Sequence, residues 1–248
     1  QFFSNISKDI RKKFKNERLI HILEFPVLFL GAKPSDTPSF YSFMNYADFG
    51  LGTWHPKTGM FDVVQAIESL ARELGVTFVT NANIEKINVQ SKIARSIVVN
   101  GKTIPSDIIL SGADYHHTET LLDTEHRAYS ETYWESRVFA PSSLLFYVGF
   151  NKKIKNISHH ALFFDVDFEK HAKAIYDEPQ WPKEPLFYAN FPSLTDKTAA
   201  PEGMESGFFL VPLAPGIEDT EELRNQYFDK IIERFEILTQ QTVKSSII

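Results

Sequence analysis

The chain has 248 residues, 43% of them hydrophobic and 22 of them Phe, with a net charge of −6. That is enough apolar material for one large domain or two modest ones. The acidic balance, with a pI near 5.8, argues against a nucleic-acid partner, which selects a basic surplus. The absence of cysteine excludes disulfides and thiolate metal sites. No run of 18 apolar residues occurs, so no membrane-spanning helix is predicted. The sequence starts at Gln1, inside a helical pattern and without an initiator Met or signal peptide, and stops at "KSSII". It is therefore expected to be an internal piece of a longer protein.

In residues 2–15, Phe2, Phe3, Ile6, Ile10 and Phe14 recur at spacings of three and four, which predicts an amphipathic helix. Lys8, Arg11, Lys12, Lys13, Lys15 and Arg18 make this region basic within an acidic chain. The following "LIHILEFPVLFLGAKP" is apolar but interrupted by Glu24 and Pro26, and too short to cross a bilayer. Two readings stand: a helical hairpin packed on its own domain, or a basic amphipathic element resting on an anionic membrane surface.

"LGTWHPKTGMFDVV", residues 51–64, concentrates Gly, Trp, His and Pro before a helical period. Met60, Val63, Val64, Ile67, Leu70, Ala71 and Leu74 predict that helix, with Gly75 at its C′ position. "VTFVTNANIEKINV", "KIARSIVVNG" and "KTIPSDIILSGAD" read as short β segments, the last ending at Ser111-Gly112-Ala113. Asn100-Gly101 is a hairpin-turn signal, because both central residues of such a turn need positive φ. Beyond residue 120, "ETLLDTEHRAYSETYWESR" is polar and helical. Four aromatic strands follow, "SSLLFYVGF", "HALFF", "LFYANF" and "GFFLVPL", with a helix "FEKHAKAIY" and a loop holding Pro179, Pro182 and Pro185 between the second and third. "DTEELRNQYFDKIIERFEIL" closes the pattern as a long amphipathic helix.

The pairs His116-His117 and His159-His160 invite a metal reading, but adjacent side chains diverge and no HExxH accompanies them. In "DVDFEKH", Asp165, Asp167, Glu169 and His171 alternate, yet the glycine and distal Glu of a calcium loop are missing. Asp167 is instead expected to cap a helix, with Glu169 in its first turn. No metal site is expected. A GxSxG elbow and a GxGxxG loop are both absent; Gly50-Leu51-Gly52 has His55 where a third glycine would stand. The aromatic strands are apolar on both sides, which predicts a sheet covered on each face. Helices supply one cover, and the other is left open between more protein and a long apolar ligand.

"EFPVLFLGAKPSDTPSFYSFMNYADFGLGTWHPKTGM", "SGADYHHTE" and "HHALFFDVDFEKHAKAIYDEPQWPKEPLFYANFPSLTDKTAAPEGMESGFFLVPLAPG" resemble the bacterial-type phytoene (carotenoid) desaturases, FAD-dependent, amine-oxidase-like oxidoreductases. The likeness spans essentially the whole chain and corresponds to the middle of such an enzyme, without its N-terminal GxGxxG and its C-terminal flavin motif. It implies an α/β (mixed α+β) fold. Residues 1–50 would form a helical lid with possible membrane contact, and residues 51–120 a portion of a Rossmann-like FAD domain with a β-meander. Residues 121–248 would form a substrate domain of aromatic antiparallel sheet flanked by helices.

In the family's G-x-W-Y-P-x-G-G-M stretch, which lies beside the flavin, Trp54, Pro56, Gly59 and Met60 match, while His55 replaces Tyr and Thr58 the first glycine. Thr58 adds a Cβ where the backbone approaches the cofactor, but can cap the helix. The resemblance also implies cofactor contacts at Ile84, Ala113 and Asp114, and substrate-lining roles for Phe146, Phe164, Phe187 and Phe209. The implied reaction removes hydrogens from phytoene or a related long isoprenoid, with hydride passing to FAD. Asp48 is the weak candidate base, with a turn or cap carboxylate as its ordinary reading. The implied location is cytoplasmic, peripherally membrane-associated. Alternatives on the same scaffold are a carotenoid isomerase, a ketolase or a polyene saturase, and outside enzymes an isoprenoid- or lipid-binding module. The piece alone is expected to be inactive.

Overall fold

The computed structural model describes residues 4–248; Phe2 and Phe3 lie outside them. The chain divides into two compact units, one holding the residues through Ile67 together with Phe139–Ile248, the other Glu68–Val138.

The first unit opens with α1 (Ile6–Lys13) and α2 (Glu17–Glu24). Each begins at an asparagine whose side chain accepts a backbone N–H of the first turn: Asn5 from Lys8, and Asn16 from Leu19. Ile6, Ile10, Ile20 and Val27 form a small core of their own, so the predicted hairpin exists and buries Ile6 and Ile10 of its apolar stripe. Phe14, Leu19 and Ile22 stay exposed, beside exposed Lys12, Lys13, Lys15 and Arg18. A 3-10 turn (Phe25–Leu30), a second one (Ser39–Ser42), α3 (Phe43–Asn45) and a π-turn (Tyr46–Gly50) lead to the glycine-containing turn.

The second part of this unit is an antiparallel sheet of β4 (Ser142–Phe150), β5 (His160–Phe163), β6 (Phe187–Asn190) and β7 (Glu205–Leu213) in the order β4-β7-β6-β5. Alternation along each strand separates two faces. Val148, Phe150, Phe187, Ala189, Phe209 and Val211 point to a core closed by Ile231, Ile232 and Phe235 of α8 (Glu221–Thr239). Thr220 caps α8 by accepting the Leu223 N–H, and the helix stops at Gln240 in the left-handed region. Between β5 and β6 runs α7 (Phe168–Tyr176). As expected, Asp167 is its N-cap, accepting the N–H groups of Glu169 and Lys170.

The boundary between the units falls inside α4 (Phe61–Glu73), the predicted helix. Its periodic residues are not a core stripe: Met60, Val64, Ile67, Leu70 and Leu74 are all exposed. The second unit holds the meander β1 (Ile84–Gln90), β2 (Ile93–Val99) and β3 (Lys102–Pro105), all antiparallel. Asn100 (φ 48°) and Gly101 (φ 74°) make the predicted turn.

Two expectations need correction. Residues 76–80 and 106–113 are not strands, because a strand exists through its ladder and these segments have no strand beside them among the described residues. Ile108 and Leu110 accordingly stand almost fully exposed. The polar segment of residues 119–137 is helical only in part, with a 3-10 turn (Thr124–His126) between the end of α5 (Tyr115–Thr120) and α6 (Glu131–Glu135). They are joined around buried Glu119, which accepts the Ala128 N–H at 2.7 Å and the Trp134 indole N–H at 3.0 Å.

Candidate functional site

The turn of residues 51–60 belongs to the same unit as the aromatic sheet and comes up beside one carboxylate of its loops. Asp196, in the loop after β6, is buried. Its Oδ1 accepts the Thr198 hydroxyl at 2.6 Å and the Thr198 N–H at 2.9 Å. The Thr198 hydroxyl, more than any other neighbour, holds Asp196 below the usual carboxylate range, so it is ionised. Its Oδ2 faces His55 Nε2 at 3.7 Å, too far for a hydrogen bond, and both atoms are buried without a partner.

The turn itself needs glycine at position 59. Gly59 sits at φ 102°, with no heavy atom within 4 Å of where a Cβ would project. Thr58, at φ 66°, carries the strain of a left-handed non-glycine residue. Its hydroxyl donates to Asp62 rather than accepting a helix N–H, so it does not cap α4 in the expected way. Trp54 is 87% exposed, Met60 is exposed, and Pro56 is half-buried. An open turn with free space before Gly59, at the start of a 13-residue helix, fits the edge of a flat, electron-accepting ring that accumulates negative charge on reduction.

The open face of the sheet carries a line of rings with one residue from each strand, in strand order. Tyr147 lies 5.1 Å from Phe208, Phe208 6.3 Å from Tyr188, and Tyr188 6.0 Å from His160. Leu145, Leu162 and Leu210 flank it on the same face. Four strands span three gaps of about 4.8 Å, roughly 14 Å of flat apolar track.

The residues expected to line a substrate lie elsewhere. Phe187 and Phe209 are buried under α8, Phe146 packs edge-on against Phe228, and Phe164 packs edge-on against Phe25. Parity decides this for Phe146, Phe187 and Phe209, since the other set of alternating positions in each strand faces outward, whereas Phe164 follows the end of β5. Asp48 sits half-buried in the π-turn and accepts the Thr53 hydroxyl at 2.8 Å. Ile84 opens β1, and Ala113 and Asp114 precede α5, where Asp114 caps the helix by accepting the His117 N–H. These three belong to the second unit.

Sequence reasoning missed three contributors: the Asp196–His55 pair, the outward aromatics, and the union of His55 with His159 and His160. Parity within the strands could have found the aromatics. The other two are tertiary contacts between distant segments and leave no local signal.

Residues 4–227 match the family of flavin containing amine oxidoreductases. The chain is 36% identical over 233 residues to a carotenoid 3,4-desaturase of Haloarcula japonica, a match covering 94% of this chain and 47% of that protein. It is 31% identical over 207 residues to a zeta-carotene-forming phytoene desaturase of Myxococcus xanthus, covering 83% of this chain and 40% of that protein. The chain thus spans half or less of the length of these relatives.

Among solved structures, an oxidoreductase of Methanosarcina mazei superposes with a TM-score of 0.64 at 17% identity, over 95% of this chain and 52% of the other. A protein of Pyrococcus furiosus superposes with 0.67 at 16% identity, over 96% and 55%. The chain belongs to the flavin-containing amine oxidoreductase family, and its fold is the mixed α/β arrangement of that class.

Proposed function

We propose that this chain is the middle portion of an FAD-dependent carotenoid desaturase acting on phytoene or a related long isoprenoid polyene. The observation that carries the reading is the aromatic line on the open sheet face, held in one unit with the open turn at Gly59. A polyene is flat, long and apolar, and offers a protein nothing to grip except its π faces and its width. Rings presented by Tyr147, Phe208 and Tyr188 supply matching surface, and the flanking leucines exclude water.

Bound flavin would supply the two-electron oxidant. The turn of residues 56–60, through its backbone at Gly59, would hold the ring side of that group. Asp196 faces His55 of this turn at 3.7 Å, so the loop after β6 stands against the turn beside the sheet. Ile84, Ala113 and Asp114 are proposed to serve the remainder of the cofactor.

Such a substrate dissolves in lipid. Phe14, Leu19 and Ile22, with Lys12, Lys13, Lys15 and Arg18 around them, form a surface suited to peripheral attachment to an anionic, cytoplasmic membrane face. Among the described residues no helix is long and apolar enough to cross a membrane.

The test is conversion. The chain with its native flanking sequence, loaded with FAD in liposomes, should turn phytoene into more unsaturated, coloured products. No spectral change with any C30 or C40 polyene would remove the desaturase reading. A changed product without added unsaturation would point to an isomerase or saturase.

A further inference from the structure

The aromatic line ends in a group of titratable side chains that substrate binding alone does not use. His160 Nδ1 lies 2.6 Å from Tyr188 Oη and 3.2 Å from Asn190 Nδ2. The orientation of the Asn190 amide is fixed, because its nitrogen also donates to the His159 carbonyl at 3.1 Å. Nδ1 therefore faces an N–H donor and carries a lone pair, so the Tyr188 hydroxyl donates to it. Behind this couple the His159 ring lies 4.4 Å from that of His160, and the His55 ring 4.9 Å from that of His159.

His55 in turn faces Asp196 across 3.7 Å, with neither facing atom otherwise bonded. Burial and then the neighbouring imidazoles His160 and His55 push His159 down; burial and then His55 push His160 down, while Asp48 draws it up. Burial keeps the Tyr188 phenol protonated. Imidazoles this close resist a second positive charge, so His159 and His160 start neutral and have room for one proton between them.

We propose that Tyr188 and His160 form the acid–base couple that receives the proton released in dehydrogenation on the open sheet face, with His159, His55 and Asp196 as positioning residues that stabilise the resulting charge. This rests on the desaturase reading. Removing two hydrogens from adjacent carbons means that one leaves as hydride, its electron pair reducing the flavin, and the other as a proton. The second C–H bond breaks, and its electron pair closes the C=C bond. Its proton bonds to Tyr188 Oη as the phenol's own proton moves to His160 Nδ1. The phenol is thereby restored, and the imidazolium stands in the field of Asp48. Asp196, ionised and facing His55, adds negative charge at the far end of the array. His160 is exposed, so the proton then passes to solvent.

Two measurements test this. In the flavin-loaded enzyme with its flanking sequence, anaerobic mixing with phytoene bleaches the flavin, and that rate isolates dehydrogenation. Tyr188→Phe and His160→Gln should each slow it by about 100-fold, the usual scale of general acid–base assistance. The double variant should be no slower than the worse single one, since the two act as a unit. The flavin spectrum and the dependence on polyene concentration should be unchanged. A loss under tenfold in either variant, or losses that multiply, would overturn the couple.

Independently, histidine Cε1 resonances of this chain are titrated by NMR. Tyr188→Phe should move the His160 midpoint, and His55→Ala should raise the midpoints of both His159 and His160. Unmoved midpoints would refute the array even if a variant were inactive for want of folding. If wild-type enzyme is not bleached by any polyene, the desaturase reading itself fails, which is distinct from a loss confined to the variants.

Discussion

Gly207 is the place where the covered face of the sheet has no room for a single added carbon. It lies inside β7, opposite Val148 of β4, with its missing side chain directed at the core. A Cβ built there would lie 2.8 Å from Cε2 of Phe150, 3.0 Å from Cε1 of Phe191 and 3.4 Å from Cε2 of Phe209. All three rings are fully buried, and Phe191 and Phe209 also pack on Phe235 of α8. A ring cannot fold away as the end of a lysine can, so relief requires several rings and the helix above them to shift together. Overpacking of this kind costs about 1–3 kcal/mol.

At roughly 2–4 °C per kcal/mol for a chain of this size, Gly207→Ala should lower Tm by about 2–12 °C in a calorimetric or circular-dichroism melt. Gly149→Ala is the matched control from the opposite parity. Its Cβ would meet only the terminal Ile248, 3.2 Å away at Cγ1, and that side chain is exposed and free to turn, so the change should stay within about 0.5 kcal/mol. If Gly207→Ala melts within 1 °C of wild type, or if the two alanines behave alike, the assignment of the two faces is wrong.

His171 should make the fold acid-sensitive. It is buried, its Nδ1 accepts the Leu186 N–H at 2.7 Å, and its Nε2–H donates to the Pro212 carbonyl at 2.9 Å, an arrangement open only to the neutral ring. Burial holds its pKa below the ordinary 6.5. Its contribution is therefore complete above about pH 6.5 and shrinks as pH falls below that, by up to about 1.4 kcal/mol per pH unit. His171→Gln should flatten the Tm-against-pH curve between pH 6.5 and 5, and an unchanged slope would refute the role. Glu119→Ala, which orphans the Ala128 N–H and the Trp134 indole N–H, should destabilise the second unit by about 1–3 kcal/mol, read as lost hydrogen-exchange protection confined to residues 115–135. Lys12→Glu with Lys13→Glu should weaken binding to anionic vesicles, and added salt should do the same to wild type; binding indifferent to both would place the attachment elsewhere. The chain as given, with no GxGxxG loop in its sequence, should lose added FAD on desalting, because such a loop carries most of the pyrophosphate affinity; a stoichiometric yellow complex would show that the turn and meander suffice.

What could be read in the sequence was whatever local physics decides. The four aromatic strands, α7 with its Asp167 cap, α8 and the Asn100-Gly101 turn stand where the pattern puts them, since period, cap and turn residues act within a few positions. Residues 106–113 show the limit. "DIILSGA" has strand composition, but β structure is a property of a pair, and no sequence window states whether a neighbour is present. The substrate-lining phenylalanines show a second limit. Composition marks Phe187 and Phe209 as important, while only pairing register tells which parity faces α8, and a one-residue difference reverses every assignment.

The turn of residues 51–60 combines both limits. Gly59 is legible as a demand for positive φ, and the structure meets it at 102°. Thr58, in the left-handed region at 66°, is legible only as an oddity, because its distant surroundings leave no local signal. Asp196, on the loop after β6, faces the neighbouring His55 across 3.7 Å. Strain in a residue persists where the surroundings over-determine it, and the surroundings of this turn include a buried carboxylate on the loop that follows β6. The same carboxylate therefore stands beside the turn proposed to hold the cofactor and adds negative charge behind His159 and His160. A substitution at Asp196 should be felt in both places at once, relaxing the turn and shifting the titration of the histidines.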